Sequence, residues 1–152
     1  MVMETDDVIS TLNNLIETCK DGQNGFQAAA DGVKNSELKT LFHTYAQQRA
    51  QFAAELQAEV RRLGGDPEQT GSVAASLHRG WINIKATVTG EDESAIISEC
   101  ERGEDSAVRN YKDALDSKLP ADVGAVVERQ YTEVKDAHDR IRALEKASGA
   151  GA

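Results

Sequence analysis

Residues Tyr45 to Leu56 read YAQQRAQFAAEL. Together with Leu38 and Phe42 just ahead of them, Tyr45, Phe52 and Leu56 recur at steps of three, four and seven. That spacing lines up side chains along one face of an α-helix. Arg49 falls on the same stripe, between Tyr45 and Phe52. The apolar spacing predicts a long amphipathic helix, and an arginine on its inward face has to be accounted for.

The neighbouring segments repeat the pattern. From about Asp6 to Ala30, a stripe of Val8, Ile9, Leu12, Ile16, Cys19, Gln23, Phe26 and Ala30 predicts a first helix. Thr5 or Asp6 would cap it and Asp31-Gly32 would end it. Gly22 and Gly25 inside it each cost about 1 kcal/mol relative to Ala, so a close helix contact or a bend is expected there. The second helix starts after Asn35 or Ser36 and runs to Leu63, ahead of Gly64-Gly65-Asp66-Pro67. A further helix begins near Asp92 and carries Ile96, Ile97, Cys100, Glu104, Ala107, Val108, Tyr111 and Leu115. The last opens at Leu119-Pro120, with the proline expected at the first helical position. Its stripe is Val123, Val127, Gln130, Val134, Ala137, Ile141 and Leu144. Between residues 71 and 90, Val73, Leu77, Trp81, Ile84 and Val88 predict a shorter helix. No strand is expected.

Short links join the first two helices and the last two, so each pair is expected to form an antiparallel hairpin. The connection between the pairs is too long for a turn. An 18-residue helix within it would rise about 27 Å, close to the length of the bundle. The expectation is an all-α, four-helix bundle with a long crossover that contains a fifth, shorter helix. Residues 1–147 form the single domain and 148–152 a frayed tail.

The chain has 152 residues, 26 acidic against 17 Lys and Arg, and a net charge of -9. This balance argues against nucleic acid or an anionic membrane as a partner, because both require clustered cations. No basic n-region precedes an apolar run at the N-terminus, and no window approaches the roughly 20 apolar residues of a membrane span. A cytoplasmic location is expected. Cys19 and Cys100 form no CxxC and sit at stripe positions. They read as small buried hydrophobes rather than as a redox pair or a metal thiolate.

The stretches LIETCKDGQNGF (15–26), GSVAASLHRGWINIK (71–85) and ISECERGEDSAVRNY (97–111) carry a resemblance to a known group. They resemble a bacterial ferritin-like family of four-helix-bundle proteins recorded as a domain of unknown function. The similarity spans about residues 6 to 146. It implies a ferritin-like fold and brings no established activity.

Ferritin-like oxidases hold two metals with one Glu from each of two helices and a Glu-x-x-His from each of the other two. Here the residues three before His43, His78 and His138 are Thr40, Ala75 and Lys135. Matched by spacing, Arg49 and Phe52 stand in place of the second helix's Glu and His, and Lys135 and His138 in the last helix. Cations in place of carboxylates would repel a divalent ion, so no dimetal cofactor is expected. No phosphate loop, nucleophile elbow or nucleophile with its base is present, so no catalytic residues are assigned.

The leading expectation is a non-enzymatic bundle that acts through a protein partner or as a homo-oligomer. One alternative is a metal-binding or redox protein with an unorthodox site near Cys100, Glu101, Glu104 and His138. Another is a small-molecule carrier with a pocket near Trp81. Residues 69–90 contain no Asp or Glu, and His78, Arg79, Trp81 and Lys85 there form a candidate interaction surface. Otherwise that stretch merely packs the crossover onto the bundle. For the opening arginine, the inward stripes put Arg49 and Glu104 at one mid-bundle level. A buried salt bridge is expected there, with Gln48, Gln130 or Tyr111 satisfying the remaining donors. The alternative is that Arg49 snorkels outward along its stem.

Overall fold

The computed structural model describes residues 4–67 and 93–148. Four helices span them: α1 (Thr5–Gly32), α2 (Ser36–Arg62), α3 (Glu93–Asp116) and α4 (Ala121–Ser148). No strand occurs among the described residues. The first two helices pack as one hairpin and the last two as another. Contacts between α1 and α3 bind the hairpins together. The expected short helix of residues 71–90 lies outside the described residues, as do His78, Arg79, Trp81 and Lys85. No helix among the described residues is long and apolar enough to cross a membrane.

Local chemistry sets the helix ends. Asn35 caps α2 by accepting hydrogen bonds on its side-chain oxygen from the Glu37 and Leu38 amides, at 2.9 and 3.1 Å. The start of α1 departs from expectation: Glu4 is the N-cap, with no side-chain cap bond from it, and Thr5 and Asp6 already lie within or at the edge of the helix. Pro120 also falls one place earlier than expected. The helix begins at Ala121, and the Pro120 carbonyl accepts from the Gly124 amide at 2.7 Å. Past α2, Gly64 takes φ +86°. A side chain at Gly65 would strike Ile9, whose nearest methyl stands 2.8 Å from the Cβ position. These two glycines therefore turn the chain while it lies flat against α1.

Most of the predicted stripes are buried: Val123, Val127, Gln130, Val134, Ala137 and Ile141 on α4, and Phe42, Tyr45, Arg49, Phe52 and Leu56 on α2. Helix α1 buries more than one stripe. Asn13, Leu15 and Thr18 are covered along with Leu12, Ile16 and Cys19, because this helix packs against both α2 and α3.

The apolar core divides in two. One cluster holds Leu12, Ile16, Cys19, Phe52, Leu56, Ala107, Tyr111 and Val127. The other holds Phe26, Phe42, Tyr45, Ile96, Cys100, Ala137 and Ile141. Along α2 the break falls between Ala46 and Phe52, and along α3 between Cys100 and Ala107. A polar layer fills that break.

Candidate functional site

Arg49 and Glu104 occupy the gap between the two clusters. Arg49 Nη1 donates to Glu104 Oε1 at 2.5 Å and Nη2 to Oε2 at 2.7 Å, in the parallel fork that suits guanidinium and carboxylate. The Arg49 Nε donates to Gln48 Oε1 at 3.2 Å. Both partners are inaccessible, at 1% and 0% exposure, so the arginine does not snorkel to the surface. Burial pulls the guanidinium's pKa down, but the charge and hydrogen bonds of Glu104 outweigh it and the net shift is upward.

Two neighbours make room for this cation. Gly22 of α1 faces it: a Cβ there would lie 3.3 Å from both Arg49 Cγ and Nη1. This is the close helix contact that the glycine pointed to. The Phe26 ring lies beneath the guanidinium carbon, 5.4 Å from ring centre, giving a cation–π contact. The same ring stacks with Phe42, at 6.0 Å between centroids, and lies tilted by 53° against Tyr45, at 5.3 Å.

Tyr111 and Gln130, two expected partners of Arg49, build a separate chain beside it. The Cys19 thiol and Tyr111 hydroxyl share a hydrogen bond of 3.1 Å, and the hydroxyl donates to Gln130 Oε1 at 2.7 Å. The Gln130 amide nitrogen donates to Glu55 at 2.9 Å, and Glu55 also pairs with Arg129 at the surface. A continuous polar path therefore runs from the core to solvent between α1, α2, α3 and α4. Burial pushes the Cys19 thiol up to about 11. Burial likewise raises Cys100 and Tyr111 well above their usual values. Both cysteines are free and buried. At neutral pH they are thiols rather than nucleophilic thiolates.

The four residues of the unorthodox-site reading do not meet. Glu104 is engaged by Arg49 through both oxygens, and Cys100 lies in the second apolar cluster. Glu101 and His138 do come together, with Asp105 as the third member. His138 Nε2 stands 3.4 Å from Glu101 Oε1 and 3.1 Å from Asp105 Oδ1, while Nδ1 faces Asp139 Oδ1 at 3.1 Å. Burial, then the nearby Asp105 and Glu145 charges, raise the Glu101 carboxyl above its ordinary range. Asp105 escaped the sequence reading because it lies on the exposed side of α3, one turn past Glu101. That i, i+4 spacing to Glu101 was its only signal.

Matching by motif spacing also misplaced Lys135. This lysine is exposed and pairs with Asp139 at 3.1 Å, while Val134 beside it takes the inward position at 0% exposure. The α4 stripe of apolar residues decides which side chain faces the core.

Two comparisons bear on this architecture. The chain is similar to a crystal structure from Anabaena variabilis, a two-domain protein containing DJ-1/ThiJ/PfpI-like and ferritin-like domains. They share 16% identity and a TM-score of 0.78, over 97% of this chain and 41% of that one. This likeness, with the four helices, defines a ferritin-like bundle. The chain belongs to the family described as Domain of unknown function (DUF2383), whose model matches residues 7–117. No curated protein matches it. Helix α4, which supplies Gln130 and His138, lies beyond the matched span.

Proposed function

We propose that this protein is a non-enzymatic ferritin-like bundle in which the Arg49–Glu104 ion pair stands in place of a dimetal centre. It acts through contacts with a partner protein or with further copies of itself, in the cytoplasm. The observation that carries this reading is the occupancy of Glu104: both of its oxygens accept from a guanidinium that is itself sealed from solvent. A carboxylate so engaged has both oxygens turned to one cation, and that fixed positive charge beside it opposes an iron ion. The absence of any Glu-x-x-His in the sequence points the same way.

The contact surface is assigned, on composition, to the acid-free stretch 69–90, where His78, Arg79 and Lys85 flank Trp81. Such a surface suits an acidic partner, with the aromatic ring as an anchor. The apolar spacing at 73, 77, 81, 84 and 88 supports a short helix in this crossover.

The deciding experiment is aerobic oxidation of ferrous iron by untagged protein stripped with a chelator. The expected result is oxidation no faster than in buffer. Turnover abolished by Glu104→Gln would overturn the reading. Analytical ultracentrifugation of wild type against Trp81→Ala tests the contact surface, with a weakened self-association expected if the partner is a second copy.

A further inference from the structure

The seam between α3 and α4 holds a second cluster, apart from the mid-bundle pair. Glu101 and Asp105 are one turn apart on α3, and His138 of α4 faces both. One ligand atom from each, two carboxylate oxygens and the imidazole Nε2, lie within 4.8 Å of one another. Ligands held tetrahedrally at zinc–ligand distances of about 2.0–2.2 Å stand about 3.3–3.6 Å apart. The imidazole-to-carboxylate gaps of 3.1 and 3.4 Å are already near that spacing.

Charge points in the same direction. Among the described residues neither Glu101 nor Asp105 is ion-paired to a lysine or arginine; the two carboxylates share one imidazole. Asp139 faces the other ring nitrogen at 3.1 Å. That is the carboxylate–histidine arrangement that orients a ligating imidazole and directs Nε2 toward a metal. Exposure is graded across the site: His138 is nearly covered at 9%, Glu101 is at 21% and Asp105 at 57%. The floor is held in place and one side stays open to water or a fourth ligand.

We propose that Glu101, Asp105 and His138 bind one divalent transition-metal ion, zinc in the first instance, at the α3–α4 seam. Mixed imidazole and carboxylate donors favour zinc over calcium or magnesium, which prefer oxygen alone. The ion takes the place of a proton or hydrogen bond at Nε2 and neutralises the carboxylates. Neither Glu104 nor Arg49 takes part, so the site stands independently of the mid-bundle reading.

The test is zinc titration of untagged, chelator-stripped protein, read by isothermal calorimetry and by competition with a chromophoric chelator. One zinc per chain is expected, with affinity reduced at least tenfold in Asp105→Asn and lost in His138→Gln. Because Asp105 is exposed, its variant keeps the fold, and circular dichroism verifies this for both. Glu104→Gln, which alters the mid-bundle layer, should leave zinc affinity unchanged. Absence of binding by wild type, or binding insensitive to Asp105→Asn and His138→Gln, would overturn the proposal. Calcium bound as tightly as zinc would overturn it too, since the imidazole would then contribute nothing.

Discussion

Arg49 and Lys135 are both cations that motif spacing sets where a ferritin-like oxidase has glutamate, and the structure treats them oppositely. Arg49 is at 1% exposure, forked onto Glu104 and seated over Phe26. Lys135 is half exposed and pairs with Asp139 one turn along its own helix. Each has a carboxylate partner, yet only the first has been taken out of water. A buried pair exists in a low-dielectric setting, where loss of either member strands an unpaired charge. At the surface, solvent replaces a lost partner at little cost. The apolar residues on either side, and not the motif, decide which situation each cation meets.

The sharpest way to break this contrast is a double-mutant cycle on the buried pair. Glu104→Leu or Arg49→Met alone should cost about 3–5 kcal/mol of stability in chemical denaturation, and the double variant should regain most of that loss. Strictly additive losses would mean that the two charges do not depend on each other.

A smaller effect is expected from Gly22→Ala. The new methyl would press on Arg49 at 3.3 Å, and Glu104 prevents the guanidinium from yielding. Overpacking of this kind costs about 1–3 kcal/mol, while alanine returns about 1 kcal/mol of helix propensity. A net loss of about 1 kcal/mol is expected in wild type, and none in the Arg49→Met, Glu104→Leu double variant, where methionine can bend away. An equal loss in both backgrounds would detach Gly22 from the ion pair.

Alkaline titration examines the polar chain beside the pair. Burial holds the folded Cys19 thiol near 11 against an ordinary 9.0, so the folded state binds this proton more tightly. Its contribution to stability is complete below pH 9 and is lost as pH rises toward 11. Cys19→Ala should therefore lose stability less steeply than wild type across that window, as followed by urea midpoints. Identical slopes would show that the thiol does not ionise with unfolding.

The smallest effect belongs to the surface. Lys135→Ala should leave the denaturation midpoint within experimental error. A clear shift would mean that this exposed pair is coupled to the His138 cluster through Asp139.

Much of the fold was legible because burial has a period. The stripes of α2 and α4 emerge from spacing alone, and Asn35 announces its cap two and three residues ahead of the amides it serves. Arg49 and Glu104 were findable together because each interrupts such a stripe. What escaped reading depends on pairs from different helices. Phe26 beneath the guanidinium and Asp105 beside His138 are set by how helices rotate against one another, and no one-helix pattern carries that. Glu93 escaped for the same reason: its carboxylate accepts from the Lys34 and Asn35 amides at 2.9 and 3.0 Å, tying the first turn of α3 to the α1–α2 link. The breadth of burial on α1 was hidden because periodicity reports one covered face, and this helix has two neighbours.

The counter-charge of Glu104 is covalently attached to the chain. A bundle whose central carboxylates await a metal depends on the supply of that metal for its folding energy, and a chelator can withdraw it. Here the cation is made on the ribosome, arrives with the polypeptide in a fixed ratio of one to one, and cannot be exchanged or starved. The centre of this protein is therefore assembled in the same event as its fold, whatever the trace-metal content of its surroundings.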